Sequence, residues 1–365
     1  MIGKIRITNY KSLRNVDIEL GKFNVLVGPN ASGKSNFLDS LAFLSETAQN
    51  PITAAFSPRG GFKRVVFGGD KGGIEFCLEI ALDEELYSYT ICVGESERIE
   101  AEQLKVGDKV VIARGIGDRV RIMSRDGTSA ESGIPYNYST VYDYGRRRDY
   151  PHIPYFQEYL SSWRLYQTIT SGMRKTLPAQ KSFDLEKSGG NLAQVLLSLH
   201  NERPRVFRRV EEILRQGIPK IEELLTPLTE DGQTFVALRE EGFADKFDYY
   251  QISDGTLNLL FYITAIAFPE TKLLCFEEPE NFVHARLQQL LVEILKNSGK
   301  QIVVSTHSLS LLDCVEPEDV IVVEKEGNET KVRRVENGAD LKKRLQDLEL
   351  GLGEYYYSGA IGGVP

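Results

Sequence analysis

The chain has 365 residues, of which 41% are hydrophobic and 26% charged, and its formal net charge is −8 at pH 7. That length accommodates two or three domains, or one large α/β domain with insertions. The acidic balance excludes a chain coated in basic surface for nucleic acid, though not a local basic patch.

In chain order, Ile2-Gly3-Lys4-Ile5-Arg6-Ile7 alternates apolar and polar residues and predicts a strand. A turn at Asn9-Tyr10-Lys11-Ser12 and a second alternation at Val16, Ile18 and Leu20 follow. Such a start differs from a secretory leader, whose centre is a continuous apolar run. Phe23-Asn24-Val25-Leu26-Val27 reads as a short buried strand, and Phe37, Leu38, Leu41 and Leu44 recur at helical spacing to about residue 48. Between them stands Gly28-Pro29-Asn30-Ala31-Ser32-Gly33-Lys34-Ser35, a full match to G-x-x-x-x-G-K-[ST] with the right element on each side. Strand, glycine turn and helix let backbone N–H groups converge on a polyphosphate at a positive helix end. The glycines permit the tight turn, Lys34 neutralises the β- and γ-phosphates, and the Ser35 hydroxyl takes one position on Mg²⁺.

Residues 57–73 are glycine-rich and basic, whereas 74–93 alternate well and predict a hairpin. Two more β pieces are expected at 109–113 and 119–123; residues 124–155, rich in Tyr, Gly and Arg, match no element. A buried strand is predicted over 163–169, helices over 191–200 and 206–216, and a short third helix over 220–225. No heptad repeat runs through this block, which excludes a long coiled coil. Strands are expected again at 235–238 and 246–251. From there helix (256–268), strand (273–276), helix (285–296), strand (302–305) and strand (320–323) succeed one another. Apolar strands without alternation imply a parallel sheet covered on both faces, so the expected class is α/β. The 256–268 run is too short to span a bilayer, and Cys77, Cys92, Cys275 and Cys314 form no C-x-x-C pair. A soluble, cytoplasmic chain with reduced cysteines and no membrane partner is expected. The four histidines show no metal-ligand spacing.

Three further stretches bear on chemistry. Leu273-Leu274-Cys275-Phe276-Glu277-Glu278-Pro279-Glu280 is an apolar strand ending in paired carboxylates. Ligands of α/β sheets bind outside the carboxyl ends of strands, so Glu277 is expected to reach the Mg²⁺ shell and Glu278 to orient and deprotonate water. The plainer reading is an acidic helix start. Ile302-Val303-Val304-Ser305-Thr306-His307-Ser308 ends a third strand on a histidine, either a hydrogen-bond donor to the γ-phosphate or a structural residue. Ser253-Asp254-Gly255 opens an apolar helix, as a second anion site or as an ordinary N-cap.

The order of these pieces resembles the ATP-binding-cassette ATPases, most closely their RecF/SMC branch and its small bacterial AAA-family members. The residues that carry the likeness are Ile-x-Asn-Tyr-Lys-Ser-Leu, Gly-Pro-Asn-Ala-Ser-Gly-Lys-Ser-Asn, Ile-Ser-Asp-Gly-Thr, Phe-Glu-Glu-Pro-Glu-Asn and Ser-Thr-His-Ser. The Ser188-Gly189-Gly190-Asn191-Leu192 helix start and the glycine-rich tail are similar too. The resemblance implies a P-loop NTPase fold with a mixed/parallel sheet, an N-terminal antiparallel β region and a short helical insertion. It divides one composite ATPase domain into an N-terminal lobe with a β-rich insertion (1–170), a helical insertion (171–245) and a C-terminal lobe (246–365). It assigns ATP contacts to Asn30, Ala31, Ser32, Gly33, Lys34, Ser35 and Asn36, and, from the opposite copy of a head-to-tail homodimer, to Ser253, Asp254 and Gly255. Ser35 and Glu277 would hold Mg²⁺, Glu278 would be the catalytic base and His307 the switch histidine. Lys11 and Ser12 lie where the branch brings the N-terminal turn toward the nucleotide. Glu277 stands where Asp is usual, and Asn281-Phe282-Val283-His284 replaces the frequent Asn-x-Leu-His-Pro. No Q-loop glutamine is evident, Gln167 being the best candidate.

Three functions compete on this evidence. The leading one is an ATPase whose ATP-driven dimerisation controls DNA or a separately encoded effector protein, in repair or anti-phage defence. A P-loop kinase or GTPase-like enzyme would share the phosphate loop but not Ser253-Asp254-Gly255 or the Glu-Glu-Pro-Glu strand. A non-hydrolysing nucleotide-gated module would be one whose hydrolytic site has decayed, and the intact Lys34, Ser35 and Glu278 argue against that. For DNA, Arg59, Lys63, Arg64, Arg146 to Arg148, Arg203, Arg205, Arg208 and Arg209 either line a binding face or are solvated surface.

Overall fold

Period-two alternation in the first third of the chain builds an eight-stranded antiparallel sheet. Its members are β1 (Ile2–Tyr10), β2 (Leu13–Glu19), β4 (Ile74–Leu82), β5 (Glu85–Gly94), β6 (Arg98–Val106), β7 (Lys109–Arg114), β8 (Arg119–Met123) and β9 (Ser129–Gly133), in the order β2-β1-β4-β5-β6-β7-β8-β9. The structure, a computed structural model, describes residues 1–69, 72–281 and 283–362. The chain forms two compact units, one of residues 1–164 with 316–365 and one of residues 165–315. The α/β class expected from the sequence is found, with a mixed arrangement of antiparallel and parallel strands.

In the first unit, β3 (Phe23–Val27) is buried along its whole length. It pairs in parallel with Val320–Glu326, which pairs antiparallel with Glu329–Arg334. Helix α1 (Lys34–Thr47) starts where the phosphate-loop pattern ends and buries Phe37, Leu38, Leu41, Phe43 and Leu44. Phe43 is the hub of the aromatic core, with ring centroids 5.4 Å from Tyr10, 4.9 Å from Phe56 and 5.8 Å from Phe76. Arg59 covers the Phe43 ring at 5.4 Å and pairs with both Asp39 (2.9 Å) and Glu46 (2.5 Å). It is therefore an internal clamp, not one of the solvent-facing basic residues it was counted among.

Strand β6 escaped the sequence reading because its alternation places Glu102 on the buried side. That carboxylate is 1% exposed and satisfied by the Tyr89 hydroxyl at 3.0 Å and the backbone N–H groups of Thr140 (2.6 Å) and Val141 (3.3 Å). The unassigned stretch 124–155 is folded. It holds β9, a helix at Thr140–Tyr144 capped by the Ser139 hydroxyl, and the start of the helix His152–Ser161.

In the second unit, Leu273–Glu277 and Gln301–Thr306 form a parallel pair with Glu277 opposite Ser305. The helix Asp254–Ala267 buries eleven of its residues, as its near-uniform apolarity requires. Helices Leu192–Glu202 and Pro204–Gly217 lie close to their expected bounds. The expected third helix is instead the strand Ile221–Leu225, paired with Ala237–Glu240. A register shift between Ile221 and Glu223 lets Ile221 and Leu224, three residues apart, both be buried. A bulge thus imitated helical spacing.

Replacing the hub ring by a methyl group leaves a cavity that its aromatic neighbours fill only in part. Phe43→Ala should lower the unfolding free energy by about 3–5 kcal/mol, read as a shift of the urea midpoint at unchanged slope.

Candidate functional site

In the first unit, the turn from β3 into α1 is shaped by what it cannot hold. A Cβ on Gly28 would lie 2.1 Å from the Val323 carbonyl oxygen, and one on Gly33 would lie 2.0 Å from Thr330 Oγ1. Gly33 has φ 111° and Ala31 φ 61°, the backbone state that favours glycine. Gly33 is also the N-cap of α1, so no cap side chain competes there for the helix's first N–H groups, and the first turn (Lys34-Ser35-Asn36-Phe37) carries no acid. A helix start bare in this way suits an anion. Lys34 is 6% exposed and its Nζ donates to the carbonyls of Gly28 (2.7 Å) and Pro29 (2.9 Å). The ammonium is thus held back over its own loop. Ser35 is exposed, while the Ser32 hydroxyl is buried with no hydrogen-bond partner among the described residues.

The N-terminal turn meets this loop. Asn36 Nδ2 donates to Ser12 Oγ at 2.7 Å, and Ser12 Oγ lies 2.7 Å from Thr330 Oγ1. Lys11, at φ 50°, pairs instead with Asp39 at 2.6 Å, which Tyr10 also reaches through its hydroxyl. Thr330 had no signal in the sequence, since it lies almost 300 positions from the loop it supports.

The second unit brings together the acid pair and the histidine. Glu278 follows the Leu273–Glu277 strand with φ 45°, a state that costs a residue with a Cβ about 1–2 kcal/mol. Its N–H donates to Ser305 O at 2.9 Å, which holds the turn. Its carboxylate is gripped from two sides, by His307 Nδ1 at 3.2 Å and Asn281 Nδ2 at 3.1 Å. With Nδ1–H given to Glu278, Nε2 of a neutral ring is an acceptor, so only the imidazolium could donate to a phosphate oxygen as well. Asn281 was quoted in the sequence only as part of a family segment; its place three residues after Glu278 in a Pro-Glu-Asn turn was the available signal. Phe282, in the same segment, lies outside the described residues.

Glu280 lies beneath this pair. It is 7% exposed, accepts the Thr306 hydroxyl on Oε1, and leaves Oε2 with no partner among the described residues. Burial pushes its carboxyl above the usual range, while the Thr306 hydrogen bond and His307 pull it back. Ser253 is the N-cap of the helix Asp254–Ala267, its hydroxyl accepting from Thr256 N at 3.2 Å. Arg174 fastens this helix start, with Nε 3.0 Å and Nη2 2.6 Å from Asp254 Oδ1, and a further bond to Tyr249 O. Gln167 is exposed, and its backbone N–H donates to Lys187 O at 2.9 Å.

Residues 23–313 match the family model described as "AAA domain, putative AbiEii toxin, Type IV TA system". The chain belongs to this AAA-domain family. Over 350 residues it is 19% identical to a protein of Helicobacter pylori named ATP/GTP phosphatase, covering 91% of each chain. Among solved structures it is similar to an SMC head bound to the C-winged helix domain of ScpA (TM-score 0.61, 17% identity, 93% of this chain and 99% of that one). It is also similar to the SMC head with an extended coiled coil bound to the C-terminal domain of ScpA from Pyrococcus furiosus (TM-score 0.58, 16% identity, 95% and 98%). The fold is that of an SMC-like head, and the chain is a nucleotide-using ATP hydrolase of the P-loop class. Among the described residues no helix is long and apolar enough to cross a membrane.

The environment of Glu280 yields a pH test. Its folded-state pKa is raised above the ordinary 4.5, so its contribution to stability is complete below that value and is lost as pH rises through the folded value. The parent's stability relative to Glu280→Gln should therefore fall as pH rises above the ordinary carboxylate range. Urea midpoints of both proteins from that range upward check it, and a constant difference contradicts it.

Proposed function

We propose that this ATPase binds ATP through Asn30, Ala31, Ser32, Gly33, Lys34, Ser35 and Asn36 and hydrolyses it with Glu278 as general base. The observation that carries this reading is the Glu278 carboxylate, set in a strained turn and held by His307 and Asn281. Strain of this kind persists where the surroundings enforce it, and it concentrates at functional sites. A carboxylate so oriented takes a proton from water as the water attacks the γ-phosphorus and the bond from that phosphorus to the bridging oxygen of the departing ADP breaks, with Lys34 countering charge on the transferred group.

Mg²⁺ fits the donors present. Ser35 and Glu277 offer the hard oxygens it prefers, and Ser305, opposite Glu277, has a buried hydroxyl with no partner among the described residues. Bound there, the ion would neutralise charge on the phosphate oxygens.

We further infer that ATP closes two copies head to tail, each triphosphate meeting Lys34 of one copy and Ser253, Asp254 and Gly255 of the other. The exposed Ser253 at the start of this helix, braced by Arg174 through Asp254, supports this. Closure and reopening are the output, read by a separately encoded protein, as the ScpA domains bound to similar heads suggest, or by DNA. For DNA, Arg205, Arg208 and Arg209 are exposed, whereas Arg59, Arg147 and Arg203 are engaged by carboxylates.

Glu278→Gln keeps the size of the side chain and one of its two accepted hydrogen bonds but removes the base. It should bind ATP with near-parent affinity, lose about 10²–10⁴-fold in kcat, and accumulate as a dimer in ATP but not ADP. Turnover at the parent rate sinks the base assignment, and a monomer at saturating ATP sinks the head-to-tail closure.

A further inference from the structure

Thr330 is 1% exposed, and both of its hydrogen-bond donors are committed. Its N–H donates to Ser12 O at 2.8 Å and its hydroxyl donates to Ser32 O at 2.7 Å. A hydroxyl has one hydrogen, so the 2.7 Å contact between Thr330 Oγ1 and Ser12 Oγ must be donated by Ser12. The Ser12 hydroxyl in turn accepts from Asn36 Nδ2 at 2.7 Å. The direction of every bond is then determined: Asn36 to Ser12, Ser12 to Thr330, Thr330 to the Ser32 carbonyl. The chain leaves α1 one residue after Ser35 and returns to the phosphate loop one peptide before Lys34.

We propose that this relay is a positioning device for phosphate binding, with Thr330 as its central positioning residue. The Ser32 carbonyl belongs to the same peptide as the Gly33 N–H. A hydrogen bond accepted by the carbonyl polarises that amide and makes its N–H a stronger donor, and bonds aligned in one direction reinforce one another. The relay also pins the peptide plane, because Thr330 Oγ1 fills the space where a Cβ on Gly33 would lie. Gly33 is thus required both by its positive φ and by the hydroxyl that steers its N–H. The relay ties three distant stretches, the N-terminal turn, the phosphate loop and the Glu329–Arg334 strand, to one peptide.

This inference rests on the phosphate-loop reading, and the test separates the two. Binding of a fluorescent ADP analogue and steady-state ATP hydrolysis are measured for Lys34→Ala, Thr330→Val, Thr330→Ser, Ser12→Ala and the Ser12→Ala/Thr330→Val double variant. Thr330→Val should raise Kd and KM about tenfold with kcat little changed, the scale of one lost buried hydrogen bond. Thr330→Ser should bind within about twofold of the parent, and Ser12→Ala should weaken binding about threefold. The double variant should be no worse than Thr330→Val alone, because both break one chain. Parent-like binding by Thr330→Val or Ser12→Ala overturns the relay. So does a Thr330→Ser variant as weak as the valine, which would assign the effect to the missing methyl group, and so does additivity in the double variant. Should Thr330→Val fail to fold, Thr330→Ser and Ser12→Ala decide between the same outcomes. Lys34→Ala with parent-like affinity would instead overturn the phosphate-loop reading itself.

Discussion

A loop that binds phosphate through its backbone must present several N–H groups to one point, and any side chain that intrudes or any carbonyl that competes defeats it. The first unit is arranged around that constraint. Gly28 has the Val323 carbonyl where a Cβ would be, and Gly33 has the Thr330 hydroxyl there. Both obstructions come from the strands Val320–Glu326 and Glu329–Arg334, so the loop is gripped by chain some 300 positions away. The aromatic cluster around Phe43 and the Arg59 clamp then hold α1, whose first turn is the proposed anion site.

The second unit concentrates its strain in one place. Glu278 adopts a left-handed backbone state at the end of a buried parallel strand, and the bond from its N–H to Ser305 keeps it there. The same turn seats Glu280 beneath Thr306 and orients Asn281 toward Glu278. A carboxylate held by an imidazole and an amide has little freedom to swing away, which suits a base that must meet one water molecule. Polar groups buried here are costly unless satisfied. Glu280 bears that cost by favouring its neutral form.

Charge is distributed unevenly between structure and surface. Arg59, Arg114 and Arg174 are each engaged by carbonyls or carboxylates of neighbouring segments. A guanidinium carries five donors in a fixed fork, so it can bind several loop carbonyls at once. Glu102 does the converse, accepting from a tyrosine and from two N–H groups at the start of the helix Thr140–Tyr144. Net charge and charge runs describe what remains outside, and give no account of such internal pairings.

The sequence by itself determined whatever depends on neighbours along the chain. The phosphate-loop turn, the helix after it, the β4–β5 hairpin and the parallel strands ending in Glu277 and Thr306 were legible because periodicity and glycine placement are local properties. It misread Ile221–Leu225 as a helix, since a bulge spaces buried residues as a helix does, and it missed β6, where a paired Glu occupies a core position. Only the tertiary structure decided which polar groups meet: Thr330 with Ser32 and Ser12, Arg174 with Asp254, His307 and Asn281 with Glu278. Those partners are set by how strands and turns distant in sequence come to lie side by side, and a hydrogen bond between them leaves no periodic trace in either segment.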